Sequence, residues 1–269
     1  MGEECRPYDH DVSRLRRWGA QAGAGVGMMA LAHCLPSVCV LGQWSPVQLR
    51  ALPFGWCRWR GPSDAGAVAV TFDDGPSPET TPRTLDLLDT LGMRGTFFVL
   101  GSLVETQVDL VSEILRRGHG VGSHGYVHDH HMLRSSAWVR RDVALSVEAL
   151  DAMGCHPRWY RPAYGQLTAR TVVEARRHGM EVVLWSAWGR EWAESASAPV
   201  MARLGGHLRP GAIVLLHDTD VMCPPGTARL THEVLGLLAA KLDELHLRAV
   251  TLDEMVAPGL QASRSSGFA

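Results

Sequence analysis

Residues 67–75 read Ala67-Val68-Ala69-Val70-Thr71-Phe72-Asp73-Asp74-Gly75. Six apolar or β-branched residues in a row fit a strand buried on both faces, as in a parallel sheet. Two carboxylates follow at its C-terminal end, where parallel α/β folds place their chemistry. The pattern repeats downstream, with strand-type runs at 96–100, 120–123, 158–161, 181–186, 212–216 and 248–252. Between them lie segments of helical period. Val104, Val108, Val111 and Leu115 recur at that spacing before Gly118, and Val139, Val143, Val147 and Leu150 before Gly154. Ser135 and Thr168 suit N-caps. Strands alternating with helices predict an α/β fold whose parallel sheet is open or closed into an irregular barrel. The polar residues of interest fall just past the apolar runs: Asp73 and Asp74, His124 and His128, Arg161, Trp188 to Trp192, and His217 with Asp218. Five strand ends are therefore expected to converge on one face.

Composition sets bounds on this reading. The chain has 269 residues, 46% hydrophobic and 20% charged, enough to bury a large core. A net charge of −2 gives no footprint for nucleic acid, and Lys241 is the one lysine. The six cysteines form no CxxC pair and do not make a disulfide framework. Residues 61–260 are expected to form one domain, followed by a frayed tail at 261–269. Residues 1–60 form a separate N-terminal segment, in which Arg14, Arg16 and Arg17 precede an uncharged stretch from Gly19 to Gly42. That stretch reads either as an export signal or membrane attachment, or as a helix packed on the domain, so an exported and a cytoplasmic protein stay open together.

Asp73 and Asp74 by themselves read either as a solvated Asp-Asp-Gly turn or as a pair whose repulsion a cation relieves. In the second case one carboxylate binds the cation and the other faces its water, with Gly75 permitting a sharp turn. His124 and His128 form an H-x-x-x-H pair, a spacing that sets two imidazoles on one side of a helical turn. Asp74 would complete two nitrogens and one oxygen, a set that favours zinc, with cobalt or nickel as alternatives, over calcium or magnesium. Asp129, His130 and His131 offer a competing set.

These residues resemble the polysaccharide deacetylases, carbohydrate esterase family four. Thr71 to Gly75 resembles the family's first motif, and His124-Gly125-Tyr126-Val127-His128 the second. Arg161-Pro162-Ala163-Tyr164-Gly165 is similar to the third, the stretch from Leu184 to Trp192 to the fourth, and Leu215-Leu216-His217-Asp218 to the fifth. The resemblance implies a deformed TIM-type (β/α)7 barrel and a metal-dependent hydrolase that removes the N-acetyl group of an amino sugar. It implies Asp73 as general base, with Arg161 orienting it, and Asp74, His124 and His128 as ligands of a divalent metal. It further implies His217 as general acid and the Tyr164 backbone N–H as an oxyanion donor. Leu215, on the His217 face of its strand by alternation, would wall an acetyl pocket. Trp188 and Trp192 lie where a sugar groove is expected.

Three positions depart from the common family pattern. Gly125 stands where Ser or Thr is usual, Ala163 replaces a proline, and Glu191 replaces an Asp beside Trp192. Glu191 is nonetheless a candidate support for His217. Two other functions share this site: a deformylase or other C–N hydrolase, and a non-catalytic carbohydrate-binding protein with a structural metal. The latter would need neither Asp73 nor His217.

Overall fold

The computed structural model describes Gly55 and residues 57–257. The expectations for the N-terminal export or packed segment and for the tail lie outside these residues. Among the described residues no helix is long and apolar enough to cross a membrane.

The decisive stretch is β1 (Ala67–Gly75), the centre of an all-parallel sheet and buried throughout. On one side follow β2 (Thr96–Val99), β3 (Gly120–Ser123), β4 (Trp159–Tyr160) and β5 (Glu181–Val182). On the other lie β7 (Ile213–His217) and β6 (Ala187–Trp188), while β8 (Arg248–Val250) pairs with residues 67–69 of β1. The run predicted as one strand over 181–186 is thus divided. Its start bonds to β4 and its continuation to β7, because the segment leaves one end of the sheet and joins the other. Within the gap, the Arg58 N–H donates to the Val182 carbonyl and the Leu184 N–H to the Arg58 carbonyl. Arg58 therefore helps to seal the barrel. Counted as two halves of one strand, β5 and β6 leave seven strands in a deformed (β/α)7 barrel.

Period-two alternation divides the side chains into an inner and an outer set. Ala67, Ala69, Phe98, Trp159, Val183 and Ile213 meet inside, closed below by Leu252 and Met255. Val68, Val70, Phe72, Val214 and Leu216 face the helical layer. The small Ala67 and Ala69 leave room for Trp159 and Phe98, so the lower interior is packed and apolar. The chemistry is confined to the upper rim.

Among the described residues eight helices surround the sheet: α1 (Thr81–Thr90), α2 (Gly101–Val104), α3 (Val108–Arg116), α4 (Ser136–Asp151), α5 (Ala169–Arg177), α6 (Ser197–Gly205), α7 (Thr227–Glu244) and α8 (Leu252–Val256). Ser135 caps α4 by accepting the Trp138 N–H, and Thr168 forms a capping box with Thr171 at α5. The periodic segment from Val104 to Leu115 is not one helix, because Gln107 (φ −127°, ψ 37°) leaves the helical region between α2 and α3. On α3 the core contacts come from Val111 and Ile114, while Val108 and Leu115 are exposed.

Candidate active site

In a regular strand Asp73 and Asp74 would point to opposite faces. Here the register between β1 and β2 shifts between Phe72 and Gly75, so Phe72 pairs with Phe97 but Gly75 with Val99. The extra residue makes a bulge, and Asp74 sits in the left-handed region at φ 74°. Both carboxylates therefore serve one site. The turn expected of Gly75 is carried by Asp74 instead. Gly75 contributes space, since a Cβ there would lie 3.0 Å from Oδ1 of the buried Asp218.

Asp74 Oδ1 lies 3.2 Å from Nε2 of both His124 and His128. The two histidines do not occupy a helical turn, as their spacing suggested, but an irregular loop after β3. Gly125 turns that loop at φ 86°. Asp142, buried on α4, holds it by accepting the backbone N–H groups of Tyr126 at 3.2 Å and Val127 at 3.1 Å. A Cβ on residue 125 would stand 2.7 Å from Asp142 Oδ2, so glycine here reflects both φ and space. The competing histidines go elsewhere. His131 is buried against Thr171 and Asp142, His130 stacks on Tyr164 with ring centroids 3.8 Å apart, and Asp129 pairs with Arg134.

The donor set suits a cation. Oδ1 of Asp74 is buried without a hydrogen-bond partner, with two ring nitrogens converging on it. Nδ1 of His124 lies 2.8 Å from the Arg161 carbonyl, which can only accept, so that nitrogen carries the hydrogen and, in the neutral ring, the lone pair is left on Nε2. Burial holds the His128 pKa down at about 4, keeping this imidazole neutral. Burial opposes ionisation of Asp74, but His128, His124 and His217 together hold its carboxyl well below the usual carboxylate range.

Arg161 is fully buried just past β4. Its Nη1 donates to Asp73 Oδ1 at 2.6 Å and to Thr71 Oγ1 at 2.8 Å, and its Nη2 to the Leu184 carbonyl at 3.1 Å. The guanidinium lies over the Phe98 ring, 4.0 Å from its centroid. One oxygen of Asp73 is thereby fixed, while Oδ2 faces His124, 3.9 Å from its Nε2.

At the end of β7, His217 Nδ1 lies 2.8 Å from Oε1 of the buried Glu191. The longer side chain therefore reaches the position expected of an aspartate, from a 3-10 turn at Glu191–Ala193 entered through Arg190 at φ 61°. Burial works against a charged His217, yet the hydrogen bond to Glu191 and the charges of Asp74 and Asp73 outweigh it and push the pKa up to about 9. Its Nε2 faces Asp74 Oδ2 at 3.9 Å.

Tyr164 lies beyond β4 in a 3-10 turn, at φ 58°, with its ring 4.3 Å from that of His128. The turn holds without a proline at 163, through the Gly165 N–H donating to the Pro162 carbonyl at 2.9 Å. Leu215 is buried on β7, opposite Thr71 and Trp188 on the neighbouring strands. Trp185, Trp188 and Trp192 form a half-buried row at 5.9 and 5.6 Å, ending edge-on against His217 at 5.0 Å. Two residues escaped the sequence reading. Asp142 sits among core positions of a helix with nothing local to mark it. Cys223 follows β7 by six residues and brings its Sγ to 3.5 Å from Asp74 Oδ2.

Residues 60–183 match the family model described as polysaccharide deacetylase. The chain belongs to that family, the amino-sugar deacetylases of carbohydrate esterase family 4, which hydrolyse carbon–nitrogen bonds. It is 32% identical to a peptidoglycan-N-acetylglucosamine deacetylase of Bacillus cereus over 76% of this chain and 94% of the relative. It is 33% identical to a chitooligosaccharide deacetylase of Rhizobium leguminosarum bv. trifolii over 71% and 90%. A crystal structure of a peptidoglycan N-acetylglucosamine deacetylase superposes with TM-score 0.70 at 30% identity, covering 76% of this chain and 96% of that one.

Proposed function

We propose that this deacetylase is metal-dependent, that Asp74, His124 and His128 hold a divalent cation, zinc before cobalt or nickel, and that the substrate is an N-acetylglucosamine polymer or oligomer. The observation that carries the reading is the unpartnered Asp74 Oδ1 facing two ring nitrogens at 3.2 Å. A carboxylate and two imidazoles form a three-ligand set of catalytic type, leaving a position for water or substrate. The cation would polarise the acetamide carbonyl and acidify water.

The chain's own residues supply the proton transfers. Asp73, with one oxygen held by Arg161, takes the proton of the attacking water at Oδ2. The backbone N–H of Tyr164 donates to the developing oxyanion. His217 holds a proton at neutral pH, since its pKa stands near 9, and passes it from Nε2 to the departing amine. Glu191 keeps the opposite nitrogen, Nδ1, protonated and the ring in place. Leu215 borders the acetyl methyl, and Trp188 and Trp192 offer faces for sugar rings. The names of the relatives favour an acetyl over a formyl group, and a non-catalytic sugar binder would have no use for the Arg161–Asp73 and Glu191–His217 pairs.

Acetate release from N-acetylated chitooligosaccharides and from peptidoglycan, with and without a chelator, tests the reading. Chelator-sensitive release supports it, and sugar binding with no release under zinc, cobalt or nickel overturns it. Asp73→Asn should abolish turnover while metal stays bound.

A further inference from the structure

Asp74 has two carboxylate oxygens, and they face different neighbours. Oδ1 lies among His124 and His128, whereas Oδ2 lies 3.9 Å from His217 Nε2 and 3.5 Å from Cys223 Sγ. The ligand atoms of Asp74, His217 and Cys223 all lie within 4.8 Å of one another. Among the described residues this is the one other group of His, Cys, Asp and Glu with such spacing. We propose that Asp74, His217 and Cys223 form a second, inhibitory site for zinc, joined to the first through the Asp74 carboxylate. The proposal rests on the reading of Asp74 as a metal ligand and of His217 as the acid.

Three features carry it. Thiolate, imidazole and carboxylate together select zinc over magnesium or calcium. Cys223 is positioned by a tied loop: Asp220 accepts the N–H groups of Gly226 and Ala228, both at 2.7 Å, and the Val221 N–H donates to Thr219 Oγ1 at 3.0 Å. Cys223 is in no disulfide and is only half-buried. Binding is balanced by the loss of two protons to solvent, one from the Cys223 thiol and one from Nε2 of His217, and the metal then occupies the Nε2 lone pair while Nδ1 keeps its hydrogen on Glu191. An imidazole bound through that nitrogen has no proton there to give the amine. Turnover therefore falls as zinc rises beyond one equivalent, because the metal that activates at one end of Asp74 disables the acid at the other.

The test compares the full chain with Cys223→Ser and Cys223→Ala under zinc titration, with three readouts. Bound zinc per chain is measured after equilibrium dialysis, alkylation of Cys223 by peptide mass spectrometry, and acetate release relative to each protein's own value at one equivalent. The expected result is a zinc-dependent protection of Cys223 in the wild-type chain and one fewer bound zinc in both variants. Loss of an outer-shell partner alone costs about 10–100-fold in metal affinity, so half-inhibition in the variants should move up by roughly tenfold or more. Equal stoichiometry in all three proteins, or alkylation of Cys223 indifferent to zinc, overturns the site. Stoichiometry and thiol protection do not depend on turnover, so a chain without deacetylase activity would refute the proposed function and still decide this site.

Discussion

Nδ1 of His124 donates to the backbone carbonyl of Arg161, 2.8 Å away, while the guanidinium of the same arginine grips Asp73 at 2.6 Å. One residue thus serves both halves of the site, through its main chain toward the proposed metal ligand and through its side chain toward the proposed base. The two roles separate on substitution. Arg161→Met keeps the carbonyl and should keep metal binding, but it leaves Asp73 as an unpaired buried charge. Breaking such a pair costs about 3–5 kcal/mol, to be read by denaturant unfolding. Loss of zinc binding with stability intact would contradict this division.

The Glu191–His217 pair sets a pH dependence. Its sign follows from a folded pKa near 9 against the ordinary 6.5. The stabilising contribution of the charged ring is complete below pH 6.5 and is lost as pH rises through about 9. Activity should decline over the same alkaline range, where the acid loses its proton. Glu191→Gln keeps the side-chain length but removes the charge, so the alkaline limb should move toward neutrality and kcat fall on the order of tenfold, a fraction of the full general-acid effect. A kcat profile with an unmoved limb would remove Glu191 from this role.

Gly125→Ser restores the residue common in the family and should harm this protein. A side chain at φ 86° costs about 1–2 kcal/mol, and its Cβ would press on the Asp142 carboxylate that holds the His128 loop. Thermal unfolding should shift down by a few degrees, and zinc affinity should drop by about tenfold or more. Asp142→Asn tests the same support from the other side and should weaken zinc binding without touching a ligand.

Zinc should also act as a stabiliser. At free metal about 100 times its dissociation constant, binding adds about 2.7 kcal/mol, which for a domain of this size raises the Tm on the order of 5–10 °C. Dialysis against a chelator should reverse the shift. Asp74→Asn should abolish the response to zinc.

Much of this was legible along the chain because strand ends leave a local signature. Asp73-Asp74, His124, Arg161 and His217 each follow an apolar run, and the barrel brings such ends together whatever lies between them. Less legible were features that depend on pairing across space. A register slip between β1 and β2 aims two adjacent carboxylates the same way, and no local residue pattern announces it. The split of the 181–186 run into β5 and β6 is fixed by which neighbour each half finds. His124 and His128 suggested a helical turn, but Gly125 and Asp142 achieve the convergence with a loop. Cys223 has no motif and enters through the path of the segment after β7.

The left-handed backbone at Asp74 restricts its replacement more severely than its chemistry does. Glutamate and aspartate are equivalent as ligands in principle, but only glycine and the short polar residues Asn and Asp settle into that conformation at modest cost. Of these, only Asp brings a negative charge. The bulge in β1 therefore acts as a filter on substitution: a replacement at residue 74 loses either the backbone geometry of the rim or the negative charge proposed to hold the ion.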